Sequence, residues 1–482
     1  MMKKNNIRLN YIYNLCYQLL NVLLPLITTP YIARVLKADG VGKYSYSYAI
    51  AAIFVAVAQL GTVTFSIREI AYYQDNREER SRLFWEIFLF RCLTVAISLI
   101  IYYFTFCRGK NADIFLAQSL CILAVCFDIS WYFQGLEQFG LITARDFFSR
   151  ILGVICVFSF VKTHDDLILY TVILGVTTII GRVANWFVLP RYLSKISFTR
   201  LRIFRNVRTY VILFVPQIAN QLYLAVDKSM IGMITGNDYE SGYYAQADKI
   251  LKVCTAILTA VVTVLSPRIA EAFSKGKGEA VQKYVDRTTH FLWMISIPMA
   301  VGLISTIGII IPWFLGDGYE SVRWLIYAFS PHIISLAFTT FFGMLLVNTK
   351  KQNEYAMSVA TGAVCNILMN AFLIRRYLSI GAVMASVVAE LIIAAIQLRV
   401  LSKQMDLKVF FPNIGKNILA SITMAVVVFV VRRNHAPTMF HSVVVILIGG
   451  IVYFLCLMIL REKFFLSLVK QYLEKLGFYK SE

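Results

Sequence analysis

FHSVVVILIGGIVYFLCLMIL, residues 440–460, runs for 21 positions without Asp, Glu, Lys or Arg. About 20 apolar residues in a helix are enough to cross the hydrocarbon core of a bilayer. No water-soluble helix needs so long a stretch that is apolar on every side. Windows of this size read outward from it find comparable runs at about 9–36, 44–70, 83–107, 112–134, 140–161, 166–190 and 209–235. The series continues at about 242–270, 285–315, 321–346, 355–374, 380–401 and 416–432, giving fourteen spans. Composition agrees: 59% of the 482 residues are hydrophobic, 15% are charged, and mean hydropathy is +0.67. Soluble chains carry about 25% charged residues, so a soluble fold and intrinsic disorder are both excluded. The chain reads as an all-α integral membrane protein.

The net charge of +20 would suggest nucleic acid in a soluble protein. In a polytopic one it marks the loops that stay in the cytoplasm. With the N-terminus inside, alternate loops and the tail hold 31 of the 47 Lys and Arg residues. That bias predicts both termini in the cytoplasm and no nucleic-acid partner. The first apolar run follows MMKKNNIRLN without a small-residue cleavage site, so it reads as a retained span. The longest polar connection, 191–208, carries six basic residues near the middle of the first twelve helices. The expected organisation is a six-helix bundle at 1–190, a basic cytoplasmic linker at 191–208 and a second six-helix bundle at 209–401. Helices 13 and 14 follow at 402–460, and a basic amphipathic tail at 461–482 is expected on the cytoplasmic surface. A repeat is suggested by Pro25 and Pro216 and by two Gly-x-Tyr segments, Gly42–Tyr44 and Gly242–Tyr244.

A charge at mid-bilayer costs about 2.5–3.5 kcal/mol on insertion scales, so charged residues in spans face a cavity or a partner. Candidates that stand out are Arg34, Arg91, Asp128, Arg145, Asp146, Arg150, Arg182, Asp227, Lys228, Asp248, Lys249, Lys252 and Glu390. The five at 227–252 flank one short loop and can meet. Arg145 and Arg150 can equally snorkel to the interface. Glu390 lies near the middle of its span with no interface in reach, which suits ion coupling. Asn10, Asn14, Gln18 and Asn21 share a helical face, and Gln217, Asn220 and Gln221 enrich the seventh span in amides. Such stripes suit interhelical hydrogen bonds and sugar hydroxyls alike. Seven of the ten prolines fall in or beside spans and fit a bundle that moves.

There is no GxxxxGK[ST], no HExxH, no ligand spacing among the five histidines and no CxxC among the nine cysteines. No cofactor or metal is expected, and a transporter rather than an enzyme. A membrane polymerase of polysaccharide assembly would need a large outer loop or an acidic catalytic pair, and neither is visible.

PYIARVLKADGVGKYSYSYAI (30–50) resembles the opening of bacterial polysaccharide flippases of the O-antigen and capsule type. These belong to the multidrug, oligosaccharidyl-lipid and polysaccharide exporter superfamily. DISWYFQGLEQFGLITARDFFSRI (128–151), VPQIANQLYLAVDKSMIGMITG (215–236), GAVCNILMNAFLI (362–374) and GAVMASVVAE (381–390) are similar to it as well. Together they cover the first twelve helices, whereas helices 13 and 14 match in number and position only. The resemblance implies two six-helix bundles around a central cavity, working by alternating access in the bacterial cytoplasmic membrane. It implies as substrate an oligosaccharide repeat unit on undecaprenyl diphosphate, moved from inner to outer leaflet. Membrane lipids, a polysaccharide polymerase and other assembly proteins are the implied partners. On this reading Arg34, Lys228, Lys249 and Arg182 meet the diphosphate, a role that charge compensation in a low dielectric requires. Asn14, Gln18, Asn21, Gln217, Asn220 and Gln221 meet the sugars. Asp227, Glu390 and Asp128 couple transport to Na+ or H+ or to the membrane potential. Competing readings are a multidrug/cation antiporter, with an anionic or aromatic-lined cavity, a polymerase, and a flippase for the peptidoglycan precursor.

Overall fold

The computed structural model describes residues 7–475 apart from 110, 404, 413, 434 and 435, and for residues 7–23 the helix without its side chains. Among the described residues there are helices and no strands. Eleven helices are long and apolar enough to cross a membrane. Two of them hold a pair of spans each. Helix α1 (Ile7–Gln59) turns back at Lys37, where φ is 56°, and a later 50-residue helix (Gln352–Leu401) turns back at Leu378, where φ is 54°. Non-glycine residues seldom adopt positive φ, so each break is a built feature of a tight hairpin. At the second hairpin Gly381 lies so close to its partner strand of helix that an added Cβ would sit 2.3 Å from the Leu373 carbonyl oxygen. Helix α6 (Phe139–Phe160) is of spanning length too, although Arg145, Asp146 and Arg150 lower its hydropathy. With it the bundle has the fourteen helices expected.

Two spans read as continuous in sequence are broken. The second halts at Gly61, between α1 and α2 (Thr62–Tyr72). Gly61 has φ 72°, and a Cβ there would lie 2.3 Å from the Tyr210 carbonyl oxygen, so only glycine allows both the turn and the contact. The fourth divides into α4 (Ala112–Phe127) and α5 (Ser130–Gly135), and Asp128 stands at the break.

The chain packs as two compact units, Met1–Gly242 and Tyr243–Glu482. The first holds α1–α6 with α3 (Arg77–Phe106), then α7 (Leu167–Ala184) and α8 (Val207–Thr235). Its core has one cluster around Phe84, Trp131, Tyr132 and Phe133 and another around Ile50, Tyr102 and Phe115. Helix α8 packs along α1 and α2, so the packing boundary falls one helix later than the 191–208 connection.

That connection is fastened to α3. Arg77 donates to the Arg191 and Leu193 carbonyls, both at 2.8 Å, and Arg80 donates to the Tyr192 carbonyl at 3.0 Å. The Ser194 N–H donates to Ser81 Oγ at 2.8 Å, and the Arg202 N–H to Glu86 Oε1 at 2.9 Å. Side chains of α3 thus satisfy backbone groups that no helix could.

Elsewhere in the first unit the leading glycines of the two Gly-x-Tyr segments, Gly42 and Gly242, approach each other. An added Cβ on Gly42 would lie 1.7 Å from the Asp238 carbonyl oxygen, and one on Gly242 would lie 1.9 Å from the Ala38 carbonyl oxygen. Each glycine faces the residue four before the other. The contact is therefore reciprocal, as a duplicated motif meeting its copy requires. Lys43 and Asp238 form an ion pair at 3.9 Å across it.

The second unit is built from α9 (Asp238–Ser274) beyond Gly242, α10 (Gly278–Phe314), α11 (Ser321–Asn348) and α12 (Gln352–Leu401). It is completed by α13 (Gly415–Arg432), α14 (Met439–Ile459) and α15 (Lys463–Lys475). Helices α10, α13 and α14 share a core around Met294, Met424 and Tyr453. Helix α15 lays Phe464, Phe465 and Leu468 against that core, and Arg287 bonds Gln471 at 2.7 Å. The remainder of the tail, 476–482, lies outside the described residues.

Candidate functional site

The first unit encloses a cavity of about 910 Å³. Faces of three helices line it at helical spacing. Helix α1 contributes Tyr44, Tyr48, Ala52 and Val55, and α6 contributes Asp146, Ser149, Arg150, Gly153 and Val157. Helix α7 adds Tyr170, Leu174, Thr177, Thr178 and Arg182, and Gln221 comes from α8. Such three- and four-residue steps keep one stripe of each helix turned inward. Small residues let the stripes approach: a Cβ on Gly153 would meet Thr177 at 3.2 Å, and one on Gly181 would meet Ser149 at 2.5 Å.

The charges gather at one end, around the break in the fourth span. Asp128 caps that break: its Oδ1 accepts the Ser130 N–H at 3.0 Å and also the Ser130 hydroxyl. Arg145 stands 3.8 Å from one Asp128 oxygen and Arg182 stands 3.9 Å from the other. Arg145 also donates to Ser130 Oγ at 3.0 Å and to Asp146 Oδ1 at 2.9 Å. Behind them Arg91, fully buried, donates to the Asp128 carbonyl at 2.8 Å, and the Trp131 indole donates to the same oxygen at 3.0 Å. The lining therefore holds three arginines against two aspartates, with a fourth arginine behind. Buried Arg182 Nη1 and Arg91 Nε and Nη2 have no hydrogen-bond partner among the described residues. Buried guanidinium donors without acceptors favour an anion beside them.

A smaller cavity of about 220 Å³ adjoins this end through Asp128, Ser130 and Gln134. It is lined by Gln59 and Gln217 as well, which bond each other at 2.6 Å.

The expected site residues separate under this geometry. Arg182, Asp128 and Gln221 line the main cavity, and Gln217 lines the smaller one. Arg34 is exposed on α1, outside the cavity lining, and Asn220 is exposed on α8, also outside it. Lys228 and Asp227 are half-buried on α8, away from the lining. Lys249 is exposed on α9 in the second unit, where its neighbour Asp248 pairs with Lys252 at 2.8 Å. Asn14, Gln18 and Asn21 lie outside the residues whose side chains are described. Glu390 belongs to the second unit, where it is buried and accepts a hydrogen bond from Thr339. On the same helix buried amides donate to polar side chains: Asn366 to the Ser386 hydroxyl at 3.2 Å, Asn370 to the Asn366 amide oxygen at 3.1 Å and Gln397 to the Ser358 hydroxyl at 3.2 Å.

Arg145 and Arg150, which sequence alone could leave at the interface, face the cavity. Their signal was present. Thr143, Asp146, Ser149, Arg150 and Gly153 recur at three- and four-residue steps, which is a polar stripe in an otherwise apolar helix.

Fourteen apolar helices, one unit of which encloses a large charged cavity, define a multi-span membrane transporter. The chain belongs to the polysaccharide biosynthesis protein family, whose profile matches residues 7–273. The Escherichia coli (strain K12) protein named "Putative O-antigen transporter" is 22% identical over 406 residues, 82% of this chain and 96% of its own. The "Lipid II flippase MurJ" of Bacillus subtilis (strain 168) is 24% identical over 169 residues, 34% of this chain and 29% of its own. Among solved structures, a lipid II flippase MurJ in an inward closed conformation superposes with a TM-score of 0.71. It is 18% identical and covers 94% of this chain and 98% of its own. An inward-facing multidrug resistance transporter of the MATE family reaches 0.57 at 12% identity, covering 79% and 98%. These two likenesses show a shared fold.

Proposed function

We propose that the protein is a flippase that carries an oligosaccharide repeat unit, linked to undecaprenyl diphosphate, across the bacterial cytoplasmic membrane by alternating access. The observation that carries this reading is the arginine end of the cavity, formed by Arg145, Arg150 and Arg182. A diphosphate leaving water loses its hydration, and only cationic donors held in place can compensate it at membrane depth. Guanidinium groups suit this task because their planar forks bind phosphate oxygens bidentately. The family match and the named activities of the relatives support the same substrate class. An organic cation would meet like charge at that end, which weighs against the drug-antiporter alternative.

On this reading Asp128 holds the arginines apart while the site is empty and gives them up to the diphosphate. Both termini lie in the cytoplasm, as the distribution of Lys and Arg favours, so the cargo enters from the inner leaflet. Asp128, Asp227 and Glu390 are the carboxylates through which Na+, H+ or the membrane potential would drive the cycle. Polysaccharide polymerase and other assembly proteins are the partners that would receive the product.

The test is transport in vesicles containing the purified protein and a fluorescent undecaprenyl-diphosphate oligosaccharide. Appearance of label in the opposite leaflet should exceed that of protein-free vesicles, and an imposed ion gradient or potential should change its rate. Equal rates with and without protein would sink the flippase reading. Faster movement of lipid II than of the oligosaccharide carrier would transfer it to the peptidoglycan precursor.

A further inference from the structure

The cavity has two chemically different ends. On α7 Tyr170 and Arg182 both line it, twelve residues apart, which is about 18 Å along a helix. On α6 the direction is reversed: Arg145 and Asp146 lie at the arginine end, and Val154 and Val157 lie at the other. At that far end Tyr44, Tyr48 and Tyr170 come together. Tyr44 and Tyr48 stack at 5.8 Å between ring centroids with 14° between planes, and Tyr170 meets Tyr44 edge-on at 5.0 Å. Tyr48 is 48% exposed although it sits within a bundle, because its ring faces the cavity. Cys121, Leu174 and Thr28 line the cavity as well.

We infer that this tyrosine cluster is a subsite for the sugar chain, and that it reads the part of the glycan remote from the diphosphate. The inference rests on the flippase reading above. A sugar ring presents C–H bonds on its faces and hydroxyls around its edge. A tyrosine answers both, with a π face for the C–H bonds and a phenol for the hydroxyls. The phenols of Tyr44, Tyr48 and Tyr170 have no protein hydrogen-bond partner among the described residues, whereas the buried phenols of Tyr102 and Tyr453 bond backbone carbonyls at 3.1 and 2.7 Å. The covalent order of the cargo then fixes its direction. The first sugar is joined to the diphosphate, so with the diphosphate on Arg145 and Arg182 the glycan extends along the cavity toward the tyrosines. A single sugar beside a diphosphate on Arg182 does not reach Tyr170, about 18 Å along the helix, but a chain of several does. The tyrosines therefore sense the length and the outlying sugars of the repeat unit. The amide Gln221 and the hydroxyls of Thr177 and Thr178 lie between the two ends.

The test compares three ligands on the purified full-length protein: undecaprenyl diphosphate, its monosaccharide form and its tetrasaccharide form. Tyr48→Leu combined with Tyr170→Leu should weaken binding of the tetrasaccharide form about tenfold, as two aromatic contacts imply, and leave the other two unchanged. Tyr48→Phe should keep most of that affinity, because the ring face remains. Unchanged binding of undecaprenyl diphosphate also shows that the variants fold. An equal loss for all three ligands, or no loss for the tetrasaccharide form, overturns the subsite. So does binding of tetraphenylphosphonium that needs the tyrosines while the glycan does not. If Arg145→Gln and Arg182→Gln leave undecaprenyl diphosphate binding intact, the flippase reading itself fails, and the subsite falls with it.

Discussion

Two carboxylates at membrane depth, half-buried Asp128 in the first unit and buried Glu390 in the second, face opposite problems. Asp128 retains 20% exposure at a break between helices, and cations approach both of its oxygens across a cavity. Glu390 retains 2% exposure within a helix and takes a hydroxyl from the helix packed against it. Arg91 and Arg182 beside Asp128 keep buried donor groups with no hydrogen-bond partner among the described residues, and Arg182 lines the cavity. On the helix of Glu390, Asn366 bonds Ser386 and Asn370 bonds Asn366, while the buried Gln397 carbonyl oxygen has no hydrogen-bond partner among the described residues. An ionic group at membrane depth must be compensated. The first unit sets arginines against its carboxylate, and the second gives its carboxylate a hydroxyl.

The comparison breaks most readily at the arginines. Arg145→Gln together with Arg182→Gln should lower affinity for undecaprenyl diphosphate by about a hundredfold or more, since each charge-assisted bond contributes about 1.5–3 kcal/mol. Equilibrium binding in detergent measures this, and a loss below threefold would mean that the cavity charges are structural. Glycine packing comes next. Gly42→Val places atoms where the Asp238 carbonyl already lies, and overpacking of this kind costs about 1–3 kcal/mol. Cross-linking of Lys43→Cys to Asp238→Cys should fall sharply in that background and persist with Gly109→Val, where an added Cβ meets nothing within 4 Å.

Glu390 sharpens the contrast. Glu390→Gln keeps an acceptor for Thr339 and should cost about 1 kcal/mol or less, whereas Glu390→Leu strands that hydroxyl and should cost about 1–3 kcal/mol. Thermal unfolding separates the two, and neither change should alter undecaprenyl diphosphate binding. If Glu390 couples transport to an ion, Glu390→Gln abolishes the response to an imposed gradient without abolishing binding. The smallest effect belongs to Lys252→Ala. Its pair with Asp248 is largely exposed on the lysine side, so stability should change by about 0.5 kcal/mol or less.

Much of this was legible in the residues themselves. Hydropathy marked fourteen helices, and the motifs at 30–50 and 128–151 pointed to the family. Arg182 and Asp128 were identifiable because charges in apolar runs are rare. Arg34, Lys228 and Lys249 are as conspicuous, and none of them lines the cavity of the first unit, since a span does not reveal which of its faces turns inward. Arg145 and Arg150 show the reverse. Their distance from the helix end allowed snorkelling, and only the neighbours of α6 show the side chains turned inward. The tyrosines carried no charge to draw attention, and 27 tyrosines in the chain offer no way to choose three.

The repeat is the clearest division of labour. Sequence supplied two Gly-x-Tyr segments about 200 residues apart, a match too short to carry weight alone. Packing showed that their glycines meet, each against the residue four before the other. That the chain crosses a membrane many times follows from its composition, because the hydrophobic effect acts on every residue. Which charges share one cavity, and which aromatic rings close its other end, was decided by tertiary structure. Those pairings join residues far apart in the chain, and they depend on how each helix is rotated about its own axis, which packing sets.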